Sequence, residues 1–207
     1  MNDKNRIEEL IRRVKKTAKS KYRASERLEQ HHRLARTSVA LLSSSLLCLL
    51  MVQVLGVEIG YSDRELNIAE LILAFFVLVY SLLLGQEHFN TRSEDMNRNG
   101  TQLSSFTRKL AGMLERDVDE AEYQSLVNKY YEILDKGESH KTIDFMFIRI
   151  ENRPAKAGDW PFYIANLIRA YFWYFILFSP YLLAILVAVT SLFLIVAGVL
   201  SSNNVIN

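Results

Sequence analysis

The sequence predicts an all-α membrane protein: a transmembrane helical hairpin plus a third C-terminal transmembrane helix, with long cytoplasmic amphipathic helices. Three observations carry this expectation. Val39 to Val57 contains no charged residue, and Leu66 to Gly85 contains only Glu70. At 1.5 Å per residue, helices of this length span the ~30 Å hydrocarbon core of a bilayer. The third observation is an uncharged stretch from Tyr171 to Leu200. Neither hairpin run alternates with period two, and only helices or closed barrels satisfy every backbone group in lipid. Two runs so long and so free of charge argue against a soluble core hairpin.

Residues 1–37 read as one basic cytoplasmic helix, with twelve Lys and Arg against five Asp and Glu. Ile7, Leu10, Ile11, Val14, Ala18, Leu28 and Leu34 recur at helical steps over parts of it, a thin apolar stripe. Such a segment is drawn to anionic lipid headgroups, at about 1 kcal/mol per basic residue near the surface. Lys15, Lys16, Lys19, Arg33 and Arg36 are the candidate contacts. No direct nucleic-acid partner is expected, because the charges encircle the helix and few aromatics are interleaved.

The hairpin occupies 38–85, with spans at about 39–57 and 66–85 and an acidic turn, Glu58 to Glu65, between them. Lys and Arg are dense before the first span and after the second, and Arg64 alone lies between. The positive-inside rule then puts the N-terminus in the cytoplasm and the turn outside, in a multi-pass membrane protein. The lone Cys48 lies within the first span, so no intrachain disulfide forms.

Residues 86–168 read as a cytoplasmic helical region with interruptions. Gly100 follows a polar stretch, HFNTRSEDMNRN, with little apolar pattern. Leu103, Phe106, Leu110, Met113 and Leu114 then form one amphipathic stripe, and Tyr123, Leu126, Val127, Tyr130, Ile133 and Leu134 another. These stripes are expected to pack on each other, on the basic helix or on a second subunit. Gly137 suits a helix C-cap. Residues 138–161 read as a loop, with Asp159 as an N-cap before Trp160-Pro161.

Residues 169–207 hold an interfacial collar and the third span, roughly Ile176 to Leu200, with the C-terminus outside. Trp and Tyr favour the headgroup level, which makes Trp160, Tyr171, Trp173 and Tyr174 membrane-interface candidates, with Arg169 on the wet side. Pro180 is expected to kink this helix.

Chemistry has little to work with. His31, His32, His88 and His140 stand in no metal-ligand spacing, and no phosphate-cradling glycine loop or nucleophile elbow occurs. No catalytic residue, metal or cofactor is expected. Polar groups inside the spans are better candidates. Ser38, Ser45 and Gln53 fall on one half of the first span, and Asn67 and Glu70 lie near the outer end of the second. They are the pore-lining candidates. The bland reading is helix packing for the serines and a helix-N-terminal carboxylate for Glu70.

One cytoplasmic segment carries a resemblance. Tyr131-Glu132-Ile133-Leu134, then Glu138-Ser139-His140, then Asp144-Phe145 resembles the Tyr-x-x-Ile-Leu … Glu-Asn-His … Asp-Tyr segment of the SLATT family of two-span prokaryotic effectors. Ser139 and Phe145 replace the expected Asn and Tyr. The likeness covers about residues 5–150, and the third span resembles a subfamily found beside reverse transcriptases in defence loci. The resemblance implies a pore-forming effector of antiphage defence. Such a protein would assemble as a homo-oligomer in the inner membrane and permeabilise it in abortive infection, when a sensor or enzyme partner from the same locus signals. The alternative is a non-lytic membrane anchor or scaffold that recruits a soluble partner.

Overall fold

The computed structural model describes residues 3–57, 59–116, 118–137, 144, 148 and 160–206. Every regular element among the described residues is an α-helix: α1 (Asp3–Val54), α2 (Asp63–Glu87), α3 (Phe89–Ala111), α4 (Glu120–Asp135) and α5 (Trp160–Ile206). Contacts divide the chain into two units. A polar unit takes Met1–Gln30 and Phe89–Tyr174, and an apolar unit takes His31–His88 and Phe175–Asn207. Helices α1 and α5 contribute residues to both. The basic segment thus shares a unit with the helices that follow the hairpin, and the hairpin shares one with the third apolar helix.

Helix α1 has one buried stripe, and its period is 3.5 residues. Ile7, Val14, Lys21, Leu28, Ala35, Leu42 and Leu49 are buried at one heptad position. Leu10, Ala24, His31, Ser38, Ser45 and Val52 are buried at the other, where Thr17 is half-buried. This is the a/d pattern of helices that pack with a left-handed supercoil. Apolar periodicity alone shows it only in fragments, because Lys21, His31, Ser38 and Ser45 are polar.

In the polar unit, Ile7, Leu10, Ile11, Val14 and Ala18 of α1 close on Leu103, Phe106 and Leu110 of α3, Val118, and Leu126 and Ile133 of α4. The two downstream stripes therefore pack on each other and on the basic helix. Thr17 Oγ1 lies 3.0 Å from the Tyr130 hydroxyl, tying α1 to α4. Toward Gln30 the packing turns polar. The Ser25 and Ser93 hydroxyls lie 3.0 Å apart, and each donates to the other residue's carbonyl at 2.9 Å.

The helical break falls at His88, whose φ of 44° is left-handed and stops α2. The polar stretch ahead of Gly100 is helical, and α3 runs through the glycine. Its stripe of Phe89, Ser93, Met96, Gly100, Leu103, Thr107 and Leu110 is buried but partly polar. A Cβ on Gly100 would stand 3.1 Å from the Tyr22 ring, so the glycine serves close packing. Gly137 differs from its expected capping role in the same way. The C-cap of α4 is Lys136, and a Cβ on Gly137 would meet the Asn99 side chain at 2.7 Å. The loop expected at 138–161, with its Asp159 cap, lies outside the described residues except Asp144, Ile148, Trp160 and Pro161.

Exposed ion pairs trim the polar unit. The Arg6 guanidinium grips Glu120 at 2.6 and 3.0 Å and holds that carboxyl at about 2, against an ordinary 4.5. Lys129 and Lys136 hold Glu132 equally low, at about 2.

Two outcomes follow for the purified full chain. Leu103→Ala opens the centre of the α1–α3–α4 core and costs about 3 kcal/mol, read as a lowered unfolding midpoint, whereas exposed Gln102→Ala leaves it unchanged. The depressed Glu120 carboxyl stabilises the fold fully above pH 4.5, and that contribution is lost as pH falls toward 2. The difference in melting temperature between wild type and Glu120→Gln should therefore shrink to nothing across that window.

Candidate functional site

Three helices of this chain are long and apolar enough to cross a membrane, with window hydropathies of 1.9, 2.4 and 2.8 in chain order. Their apolar parts form the second unit. Within it α1 and α5 run parallel. Ser38 Oγ donates to the Tyr181 carbonyl at 3.4 Å and Ser45 Oγ to the Ala188 carbonyl at 3.0 Å, both pairs 143 residues apart. Phe178, Tyr181, Ala184, Ala188 and Ile195 are buried positions of α5 in this unit. Small residues let the two backbones approach, and the hydroxyls find acceptors that lipid cannot offer.

The inner part of the seam is aromatic. His31 is buried, stacks on Phe178 with ring centroids 4.4 Å apart, and meets Tyr181 edge-on at 5.6 Å. Its Nδ1 lies 3.3 Å from the Tyr181 hydroxyl. Helix α5 continues through Pro180. A proline there leaves the carbonyl of Ile176 without its usual N–H donor, and Ser179 Oγ donates to that carbonyl at 2.9 Å. The Tyr80 hydroxyl of α2 donates to the Pro180 carbonyl at 2.5 Å. The backbone groups around the proline thus find hydroxyl donors, as an intramembrane proline requires.

The hairpin turn is built from local chemistry. Gly56 and Gly60 have φ of 62° and 80°, in the left-handed region. Ser62 then caps α2, and its backbone N–H donates to the Glu65 carboxylate at 2.8 Å in a capping box. These bonds hold the Glu65 carboxyl below its usual range, the backbone donor first.

Helix α2 is the least covered of the three, with 11% of its apolar window buried. Leu66, Leu73 and Tyr80 are its buried positions, seven residues apart. Ile68, Leu71, Phe75, Leu78 and Leu82 are exposed. Glu70 lies between Leu66 and Leu73 on the buried side. It is half-buried, and its Oε1 is enclosed with no hydrogen-bond partner.

The five pore-lining candidates therefore separate. Ser38 and Ser45 are shut into the α1–α5 seam with 0% exposure, Gln53 and Glu70 are half-buried, and Asn67 is exposed. Of the interface candidates in the polar unit, Lys15, Lys16, Arg169, Trp160, Tyr171 and Trp173 are exposed. Lys19 and Tyr174 are half-buried there, and the Tyr174 hydroxyl donates to Gln30 Oε1. Arg33 and Arg36 are exposed in the apolar unit.

In the family-like segment singled out in the sequence, Tyr131 is exposed, Leu134 half-buried and Ile133 buried in the core. Glu138, His140 and Phe145 lie outside the described residues. Asp144 is buried and takes a two-pronged ion pair from Arg27, at 2.9 Å to Nε and 3.1 Å to Nη2. Both side chains are nearly closed to solvent, 6% and 3% exposed. Removing one partner of such a pair strands a buried charge and costs about 3–5 kcal/mol.

Sequence reasoning passed over Arg27 and Asn99. Asn99 Nδ2 donates to the Ile133 carbonyl at 2.6 Å, and its Oδ1 is enclosed with no partner among the described residues. Arg27 sits among eleven other basic residues of the first 37, and nothing local marks it. Among the described residues no group of three or more His, Cys, Asp or Glu could hold a metal.

This arrangement has a family counterpart. The model of the SMODS and SLOG-associating 2TM effector domain family 5, SLATT family 5, matches residues 3–195. The chain belongs to the SLATT family. No curated protein and no solved structure matches it. The SLATT match reaches well past the expected limit near residue 150 and takes in α5 as far as Ile195. The third apolar helix is thus part of the SLATT-matching chain, although the family description counts two transmembrane segments. That description names no reverse transcriptase.

A close approach at Gly198 in this SLATT chain's apolar unit gives a clean test. A Cβ on Gly198 would stand 2.7 Å from Ile59 Cβ and 2.9 Å from its carbonyl oxygen, whereas one on Gly85 meets nothing within 4 Å. Gly198→Ala should cost about 1–3 kcal/mol as a lower melting temperature in detergent, and Gly85→Ala should leave it unchanged.

Proposed function

We propose that this membrane effector domain acts by permeabilising the bacterial inner membrane as a homo-oligomer, without catalysis. The observation that carries the reading is Glu70: an ionisable side chain inside a span, with an enclosed, unpartnered oxygen, on a helix whose apolar face is largely uncovered. Intramembrane carboxyls are expensive in lipid and mark ion paths or partner contacts. In an assembly of several copies, Glu70 with Gln53 and Asn67 would supply the polar surface of a leak favouring cations. Ser38 and Ser45 would join that surface only if the α1–α5 seam opened.

The N-terminus is placed in the cytoplasm by the positive-inside rule. The parallel course of α1 and α5 in the apolar unit supports a C-terminus on the other side. The exposed lysines of α1 and the aromatic residues of α5 would meet anionic headgroups. The associates in the family description, SMODS and SLOG proteins, are the proposed sources of the activating signal. The polar unit would receive it in antiphage defence, ending in abortive infection.

The test is induced expression in bacteria with the neighbouring genes of the locus and a phage challenge. A membrane-potential dye and propidium iodide are read beside growth. Wild type should depolarise the cells, and Gln53→Leu should not, at equal membrane abundance. In planar bilayers Glu70→Gln should lower cation selectivity without lowering expression. If wild type never depolarises cells, the chain is a non-lytic anchor for a soluble partner; unchanged reversal potentials would remove Glu70 from the ion path.

A further inference from the structure

The polar unit holds α1 in two different ways. From Ile7 to Ala18 the helix is sunk in an apolar cluster. From Ser20 to Gln30 buried Ala24 and Leu28 are interleaved with polar contacts: the paired serines at Ser25, the Arg27–Asp144 pair, and the Tyr174 hydroxyl on Gln30. Apolar contacts are non-directional and open only by exposing surface to water. A buried ion pair opens by exchanging one charged partner for another, and its contribution to stability over an apolar pair is small or negative. Such a pair suits a contact that must form in one state and break in the next.

We propose that Arg27–Asp144 is a latch. It fastens Asp144 onto α1 in the resting state, and its opening is the step that activates the protein. Four features support this. Asp144 lies 117 residues from Arg27 and makes a two-pronged contact, so the pair reports tertiary placement and not local helix structure. Other ion pairs of the unit, such as Arg6–Glu120 and Arg116–Glu122, are exposed and add little. Ile148, four residues on, has 0% exposure, so on this proposal opening of the pair uncovers it. Lastly, the pair borders a cavity of about 260 Å³ walled by Arg23, Glu26, Gln30, Tyr171 and Tyr174. Through it water or a competing charged group can reach the pair without unfolding the apolar cluster. Only the activating consequence rests on the permeabilising reading.

The experiment reads latch and leak separately, in full-length protein in bacterial membranes. A single reactive thiol is placed by Ile148→Cys in a Cys48→Ser background and labelled with a polymer-linked maleimide, while a dye reports membrane potential. In the parent the thiol should label slowly and the potential should hold. Arg27→Ala should label at least tenfold faster and depolarise cells without a trigger. The charge-exchanged double variant, Arg27→Asp with Asp144→Arg, should return both toward the parent. Asp144→Asn, which keeps the shape and removes the charge, takes the place of Arg27→Ala if that variant does not accumulate. Equal labelling rates in parent and single variants at equal abundance would overturn the latch. Fast labelling without depolarisation, where a triggered parent does depolarise, would overturn its activating role. Fast labelling with no depolarisation by any variant or by the triggered parent would sink the permeabilising reading and leave the latch in place.

Discussion

A helix of 52 residues with a single buried stripe can be packed only by partners that follow its 3.5-residue period. The stripe runs through both units, and in the first it is widened by flanking positions such as Ile11, Ala18, Ser25 and Arg27. Ile7, Val14 and Leu10 meet the polar unit's apolar core, and Leu42, Leu49, Ser38 and Ser45 lie on the seam of the apolar unit. The identities on the stripe change with the environment, while its register holds. Large aliphatic residues serve where water drives association. In the apolar unit Ser38, Ala35 and Ser45 stand among Leu42 and Leu49 on the stripe, where association depends also on close backbone approach and hydroxyl bonds.

The same constraint explains why polar residues sit inside both units. At Ser38 and Ser45 a leucine would push α5 away, and the hydroxyl would no longer reach the Tyr181 and Ala188 carbonyls. At Pro180 the missing N–H is offset by Ser179 on the Ile176 carbonyl. Around Ser25 and Ser93 the two backbones meet through reciprocal hydroxyl bonds. These contacts fix register more than they add stability, since a net hydrogen bond contributes only about 1 kcal/mol.

The spans were legible because lipid imposes a length and forbids charge, and both properties are local. The downstream stripes were legible from Leu103 to Leu134 for a similar reason: water on one face and core on the other leave a 3.6-residue pattern. What stayed hidden depends on neighbours far along the chain. The α1 heptad is masked by Lys21, His31, Ser38 and Ser45. Gly100 follows a polar stretch and Gly137 reads as a C-cap, yet each makes room for a side chain distant in sequence, Tyr22 or Asn99. Arg27 carries no signal among so many basic residues. Asp144 was marked only by the family-like segment, and its partner could not be read from that segment.

Helix α2 bears on how such a fold could change state. In water its exposed Leu71, Phe75, Leu78 and Leu82 would drive it onto its neighbours. In lipid that force is absent, because acyl chains are as apolar as leucine. What remains to hold α2 is packing at Leu66, Leu73 and Tyr80 and the Tyr80 bond to Pro180. The α1–α5 seam, by contrast, has a small-residue interface with two interhelical hydroxyl bonds. The second arm of the hairpin is therefore the element that exchanges partners at least cost. Glu70 rides on that arm with an unsatisfied oxygen, so a rearrangement that gave it water or a partner would recover part of the cost of leaving its present packing. On the proposed reading, the resting fold keeps an unpartnered carboxyl oxygen on its least covered span, which is where a membrane leak would begin.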